Sequence, residues 1–127
     1  EKRLKSKSKK NIIFKGFVEE NELIGLYKDA KALVFPQEED FGITAVESQA
    51  AGTPVIAYKK GGALDSVVEG KTGIFFEEHS VGSLIKTVKR FDDSNHRYRS
   101  EDCVSQAKKF SKERFKKEFG ELIEKYY

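Results

Sequence analysis

Short apolar runs alternate with amphipathic stretches along the first ninety residues of this chain. Short runs rich in β-branched and aromatic residues, bounded by Gly, Pro or polar residues, are typical of β-strands. The pattern predicts four strands, at residues 11–14, 32–35, 55–58 and 74–76. Because the second and third runs are continuously apolar, we expect burial on both faces, as in a parallel sheet.

Between these runs, apolar residues recur at the three- and four-residue steps of a helix. Acidic residues and Asn21, as a capping residue, introduce a helix that holds residues 23–30. A second helix is predicted from about residue 43 to residue 51, where a Gly and then a Pro end it. A short helix follows the turn at Gly61 and Gly62, and a longer one begins near Val81.

Regular alternation of strand and helix predicts an α/β fold, a Rossmann-like parallel sheet with flanking helices. Four strands are few for an open doubly wound sheet, so we expect part of a larger domain. We divide the chain into a basic leader at residues 1–10, a partial Rossmann-like domain at 11–100 and an amphipathic C-terminal helix at 101–127. The apolar stripe of that last helix is formed by Phe110, Phe115, Phe119, Leu122, Ile123 and Tyr126.

The charge of the chain is small and unevenly placed, with a net +3 and six Lys or Arg among the first ten residues. No aromatic residues are interleaved there to stack on bases, so we expect a solvated terminal helix and no nucleic-acid partner. Cys103 is the only cysteine, which indicates a buried helical thiol in a reducing compartment. No apolar run approaches ~20 residues and no signal-peptide pattern is present, so we expect a cytoplasmic protein.

Candidate chemistry lies in the loops that follow the strands, because ligands of such sheets bind beyond the carboxyl ends of the strands. Three loops, at residues 16–21, 36–42 and 59–62, are expected to converge on one crevice. The amides of Gly42, Ile43 and Thr44 would begin a helix there and favour an anion such as phosphate. Glycines in two of these loops would let the backbone approach a ligand closely.

Two carboxylates flank this expected anion site. Glu39 precedes the helix and Glu47 follows one turn into it, and each carboxylate oxygen can accept a hydrogen bond from a sugar hydroxyl. An anion site between two hydroxyl acceptors suits a sugar nucleotide. Taken singly, a carboxylate of this kind is more often a solvated surface residue than a functional one. No Walker-type or Gly-x-Gly-x-x-Gly loop is present, and His79 and His96 lack partners at metal-ligand spacing, so no metal site is predicted.

As one string, residues 39–47 (EDFGITAVE) resemble the E-x7-E motif of glycosyltransferase family 4. In that family the motif lies in the nucleotide-binding C-terminal domain of the GT-B fold. The resemblance extends from about residue 11 to residue 91. The agreeing segments are Phe14-x-Gly16, Leu26-Tyr27-x-x-Ala30, Pro36, residues 51–57 (AGTPVIA), Gly61-Gly62 and Thr72-Gly73.

The resemblance implies a role for each site residue. Glu39 would contact hydroxyls of the donor sugar as the candidate catalytic residue, and Glu47 would contact the ribose. Two backbone sets would complete the site. The amides of Phe41, Gly42, Ile43 and Thr44 would face the diphosphate or sugar, and Gly16, Phe17 and Val18 would frame the base.

The resemblance also implies the kind of reaction. Members of the family are retaining, generally metal-independent transferases, whose nucleotide sugar is a substrate and which need no cofactor. Residues 38–44 and 61–65 are most similar to mannosyltransferases of surface-polysaccharide synthesis, which makes GDP-mannose the first candidate donor. The acceptor would be a glycan or lipid-linked, and the full enzyme would associate peripherally with a membrane.

The chain also departs from the family pattern. The family's domain opens with a strand, a Gly-Arg turn and a Lys that hold the donor phosphates, and no such segment is present. The acceptor-binding N-terminal domain is also missing, and Asp65 stands where Glu is common. We therefore expect an N-terminally truncated C-terminal half that needs a missing domain or a partner chain. The alternatives are a non-catalytic module that kept the fold and a receiver-like domain, which the lack of paired Asp residues at a strand end disfavours.

Overall fold

The computed structural model describes residues 2–7 and 9–110, and it confirms the α/β architecture. The helices and strands follow one another along the chain. They are α1 (Lys2–Lys7), α2 (Glu20–Asp29), β1 (Leu33–Phe35), α3 (Ile43–Ala50), β2 (Val55–Tyr58), α4 (Ala63–Ser66), β3 (Gly73–Phe76), α5 (Val81–Asp93) and α6 (Ser100–Lys108), with a 3₁₀ turn at Asn95–Arg97.

The three strands form one parallel sheet in the order β1-β2-β3. Leu33 pairs with Val55, and Ile56 pairs with Ile74, so neighbouring strands are in register along their whole length. Each crossover carries a helix, as parallel strands require. The carboxyl ends of all three strands consequently lie along one edge of the sheet, and the loops at residues 36–42 and 59–62 leave from that edge.

The prediction of a fourth strand at residues 11–14 is wrong. This segment is irregular, and Ile12 and Ile13 are 52% and 77% exposed. An apolar run becomes a strand only where a neighbouring strand pairs with its backbone, and no described strand lies beside it. The prediction that Asn21 caps the first helix is also wrong, because α2 begins at Glu20 and Glu19 occupies the capping position without a side-chain bond.

The core has two layers because the side chains of β2 alternate between the faces of the sheet. On one face, Val55 and Ala57 pack with residues of β1, α3, α4 and β3. On the other face, Ile56 packs with the apolar side of α5 and with Tyr98. Both faces of the central strand are therefore buried, as the apolar run predicted. The same prediction is wrong for β1, whose Val34 is 45% exposed.

Helix α6 packs against α3 and closes the first layer. Cys103 is fully buried in this interface, as predicted, and burial raises the pKa of its thiol from 9.0 to about 11. Gln106 is also buried there, and its Nε2 donates to the carbonyl oxygen of Ser66 at 3.1 Å. Of the predicted tail helix, the structure describes α6 and Phe110, whereas residues 111–127 lie outside the described residues.

No helix in the described part of the chain has the length and apolar character needed to cross a membrane.

Candidate functional site

The predicted anion site lies where α3 begins at the carboxyl edge of the sheet. Gly42 occupies the capping position with φ 71° and ψ 54°, a left-handed conformation that favours glycine. A Cβ at Gly42 would meet the ring of Phe35 at 3.5 Å, so the turn packs directly on the end of β1. The first amides of the helix, those of Ile43 and Thr44, have no intrahelical acceptor and face outward from the helix start.

Glu39 lies on the exposed loop that leads from β1 to α3. Its side chain is exposed, while its main-chain carbonyl accepts a hydrogen bond from the amide of Gly62 at 2.5 Å. Among the hydrogen bonds of the described residues, this is the only one that ties residues 36–41 to another part of the chain. The contact joins two of the three loops that were expected to converge.

Gly61 and Gly62 pack against this loop. A Cβ at Gly61 would lie 2.5 Å from the carbonyl oxygen of Glu39, and one at Gly62 would lie 2.6 Å from that of Asp40. Both distances are far below ordinary van der Waals contact, which begins near 3.4 Å. The sequence suggested that these glycines let the backbone approach a ligand, but in the structure it is the loop carrying Glu39 that they admit.

Glu47 lies on the exposed side of α3, one turn after the anion site, and contacts α2. Its Oε2 accepts a hydrogen bond from the hydroxyl of Tyr27 at 3.4 Å. Tyr27 is half-buried, and Thr53 fixes its backbone because the Thr53 hydroxyl donates to the Tyr27 carbonyl oxygen. Burial first, and then the charge and hydrogen bond of Glu47, raise the pKa of the Tyr27 hydroxyl above 10.0, so it stays protonated at neutral pH.

The two helices enclose a cavity of about 330 Å³ beside this pair. Its lining combines apolar side chains of α2 with the polar pair. The lining residues include Leu23, Ile24, Tyr27, Lys28, Glu47 and Ala50. The sequence singled out Glu47, but Tyr27 entered only as part of a segment that agrees with the family and was given no role in the site, because a contact over twenty residues has no local signal.

The third predicted loop, at residues 16–18, is more open. Phe17 is 93% exposed, Gly16 adopts φ 62° with no heavy atom within 4 Å of a Cβ placed there, and Val18 is half-buried. The segment is tied to α2 through an ion pair between Lys15 and Glu22 at 3.4 Å. No recorded contact joins Gly16, Phe17 or Val18 to Glu39 or Glu47, so their part in the site stays a prediction.

Within residues 2–7 and 9–110, no group of three or more His, Cys, Asp or Glu side chains is placed to hold a metal ion.

Comparison with known proteins identifies the family of this chain. The family described as glycosyl transferases group 1 matches residues 1–110 of the chain. Two relatives, from Corynebacterium glutamicum (strain R) and Mycolicibacterium smegmatis, are both named D-inositol 3-phosphate glycosyltransferase. The first is 39% identical over 72% of this chain and 22% of its own length, and the second is 33% identical over 71% and 21%. The chain therefore spans about a fifth of the length of the curated relatives it matches.

A solved structure shows the same fold. Sucrose-phosphate synthase from Thermosynechococcus elongatus superposes with a TM-score of 0.79 and 26% identity, over 90% of this chain and 30% of that protein. By sequence and by structure, this chain belongs to the group 1 family of glycosyl transferases.

Proposed function

We propose that this chain forms the donor-binding part of a retaining glycosyltransferase, which transfers a hexose from a nucleotide sugar to a glycan or lipid-linked acceptor. The observation that carries the proposal is the placement of Glu39 and Glu47 on either side of the start of α3, at the carboxyl edge of a parallel sheet. Ligands of open α/β sheets bind at this edge. The whole arrangement lies inside the stretch that matches the family.

The start of α3 supplies the part of the site that would hold the diphosphate. Amides without intrahelical acceptors and the positive end of the helix dipole together favour an anion there. In the proposed complex, the backbone of Phe41, Gly42, Ile43 and Thr44 faces the diphosphate or sugar. The same donors would stabilise the charge that develops on the departing nucleoside diphosphate during transfer.

Glu47 would bind the ribose. Its carboxylate is exposed next to the cavity between α2 and α3, and it can accept hydrogen bonds from two vicinal hydroxyls. Tyr27 holds one side of the carboxylate through its hydroxyl and leaves the remaining oxygen lone pairs open. The apolar lining of the cavity would accommodate the nucleoside next to it, with residues 16–18 framing the base.

Glu39 would contact hydroxyls of the donor sugar. It lies in the loop that precedes the helix start, whereas Glu47 lies within the helix. A carboxylate there would bind the sugar through hydroxyl groups and fix the orientation of the anomeric carbon. Fixing that orientation contributes to transfer by holding the reacting atoms in place.

GDP-mannose is the first donor to test, because residues 38–44 and 61–65 resemble those of mannosyltransferases. The named relatives add an acceptor to the test, since they are called D-inositol 3-phosphate glycosyltransferases. A phosphorylated polyol therefore stands beside glycans and lipid-linked sugars among the acceptors to try.

The proposed transfer reaction also needs parts of an enzyme that this chain does not supply. An acceptor-binding domain and the cations that hold the diphosphate would come from another part of the protein or from a partner chain. The single buried thiol of Cys103 suits a reducing, cytoplasmic setting, and peripheral membrane association would belong to the full enzyme.

A titration followed by amide chemical shifts tests the proposal. The labelled chain would be titrated with GDP-mannose, UDP-glucose and UDP-GlcNAc in turn. We expect one nucleotide to shift the amides of residues 41–47 and of Tyr27 selectively, while β3 and α5 stay unchanged. If the folded chain shows no shifts at millimolar ligand, donor binding by this chain is refuted and a module without that function is favoured.

A further inference from the structure

We propose that Gly62 is a positioning residue for Glu39: its backbone holds the 36–41 loop in the conformation that presents the Glu39 carboxylate to the donor sugar. The inference rests on the proposed function, because it assigns a residue to the sugar half of that site. It differs from the expectation that the glycines approach a ligand, since Gly62 is buried behind the loop.

The first support is the hydrogen bond between the two segments. The Gly62 amide donates to the Glu39 carbonyl at 2.5 Å, and residues 36–41 have no other hydrogen bond to the described chain. The loop itself is exposed from Pro36 to Phe41. Exposed loops with few tertiary contacts sample many conformations, so a hydrogen bond at Glu39 itself has a large influence on where this residue lies.

The second support is the rigidity of the residue that makes the bond. Gly62 is buried between the end of β2 and the start of α4, and the next residue, Ala63, is fully buried in the core. The position of its amide is therefore fixed by the packing of the sheet and α4. Within the described residues, this amide is the hydrogen-bonded link between the loop and the core, beside the backbone packing at Gly61 and Gly62 and the edge contact of Phe41 with Phe110.

The third support is the absence of space for any side chain. A Cβ at Gly62 would lie 2.5 Å from the Phe41 carbonyl carbon and 2.6 Å from the Asp40 oxygen. These neighbours are backbone atoms that no rotamer change can remove. An alanine would therefore force the loop to move by about 1 Å before contacts returned to ordinary distances.

Gly62→Ala isolates the effect of the contact with the loop, because the backbone angles of Gly62 are ones that alanine also adopts. With φ −62° and ψ −22° it lies in the right-handed helical region, where alanine is at least as favourable as glycine. Any loss in Gly62→Ala must then come from the clash with the loop. A substitution at Gly61 would not separate the clash from backbone strain, since its φ of 73° is unfavourable for any other residue.

Gly82 provides the matched control. It lies in the first turn of α5, near a helix start as Gly62 does, and no heavy atom lies within 4 Å of a Cβ placed there. Gly82→Ala therefore makes the same chemical change in open space.

The test compares the two variants first without ligand and then with two ligands. We expect Gly62→Ala to shift the amides of residues 38–44 while those of β3 and α5 keep their positions, and Gly82→Ala to leave the loop unchanged. We expect affinity for the nucleotide sugar to fall about tenfold or more in Gly62→Ala, because a displacement near 1 Å can cost that much. Affinity for the free nucleoside diphosphate should fall by a clearly smaller factor, since Glu47 and the amides of Ile43 and Thr44 in α3 keep their places and only the Phe41 backbone is shared with the displaced loop.

Each contrary result has a defined meaning. A Gly62→Ala chain whose loop amides coincide with those of the unaltered chain overturns the proposal, whether or not any donor binds. Equal weakening of both ligands would overturn it as well, because a general loss of stability acts on both alike. If the unaltered chain binds no donor but its loop moves in Gly62→Ala, the proposed function fails and the positioning of the loop stands.

A second measurement covers a Gly62→Ala chain that does not fold. In the unaltered chain, hydrogen exchange of the Gly62 amide reports the opening of its bond to Glu39. We expect saturating nucleotide sugar to slow this exchange about tenfold, because the ligand favours the closed loop. Exchange that is unchanged by bound ligand would overturn the proposal.

Discussion

The hydroxyl of Tyr27 holds the Glu47 carboxylate in place before any ligand arrives. The oxygen–oxygen distance of 3.4 Å is long for such a bond, and both groups are partly open to water. Tyr27 itself is half-buried, and the Thr53 hydroxyl fixes its backbone by donating to its carbonyl oxygen. The contact therefore acts on the orientation of Glu47 more than on the stability of the chain.

This contact predicts a specific effect of Tyr27→Phe. Loss of one hydrogen bond of about 0.5–1.5 kcal/mol should weaken nucleotide-sugar binding about two- to tenfold. Because Glu47 is proposed to bind the ribose, the preference for a ribonucleotide over its 2′-deoxy analogue should fall in parallel. Calorimetric titration with the two nucleotides measures both effects.

Tyr58→Phe is the matched control for this prediction. Tyr58 lies on β2, where its ring packs on Phe76 and His79, away from Glu47. Its variant should keep the affinity and the ribose preference of the unaltered chain. A Tyr27→Phe chain that discriminates the two nucleotides as before would show that the hydroxyl does not orient Glu47.

At the residue scale the sequence singles out two candidate carboxylates, whose role stays a prediction, but it does not show what surrounds them. Glu39 and Glu47 stand out because both flank a glycine at an expected helix start. The contacts of Tyr27 and Gly62 cannot be recognised in the sequence, because each joins two segments that meet only when the sheet forms.

Among the elements, α6 is joined to the rest of the fold by a buried polar contact. Gln106 donates from α6 to the carbonyl oxygen of Ser66 at the end of α4, and both residues are almost fully buried. A buried carbonyl that loses its donor retains the cost of leaving water. The contact therefore fixes how α6 sits over α3 and α4.

Gln106→Leu should lower the free energy of unfolding by about 1–2 kcal/mol, because it keeps most of the volume and removes the donor. Ser105→Ala, an exposed change in the same helix, should alter it by less than about 0.5 kcal/mol. Urea denaturation of both variants provides the comparison. Equal stability of Gln106→Leu and the unaltered chain would refute this account of α6 docking.

The predicted elements succeeded where local pattern and tertiary pairing agree. Residues 55–58 and 74–76 are apolar runs between turns, and both became strands because each has a parallel neighbour. Residues 11–14 show a similar pattern but no described strand pairs with them. An apolar, β-branched segment favours the strand conformation, but a strand forms only where a neighbouring strand pairs with it. The local sequence does not show whether that neighbour exists.

For the whole molecule, the strand–helix alternation was enough to predict the Rossmann-like class, and the sheet order and register came only from the structure. Family membership rests on the match over residues 1–110 and on the likeness to a solved sucrose-phosphate synthase. The loop carrying Glu39 and the start of α3 follow the carboxyl end of β1, and Glu47 lies one turn into α3. That arrangement is the basis of the proposed donor site.

Calorimetric titration of a nucleotide sugar into the unaltered chain and into Glu47→Ala tests this central claim most directly. Glu69→Ala, an exposed change just before β3 and away from the carboxyl edge, is the control. We predict saturable binding that weakens about tenfold or more in Glu47→Ala, as expected when hydrogen bonds to a charged group are lost, and that stays unchanged in Glu69→Ala. Equal affinity of the Glu47→Ala and unaltered chains, or no binding by a folded unaltered chain, would contradict the account.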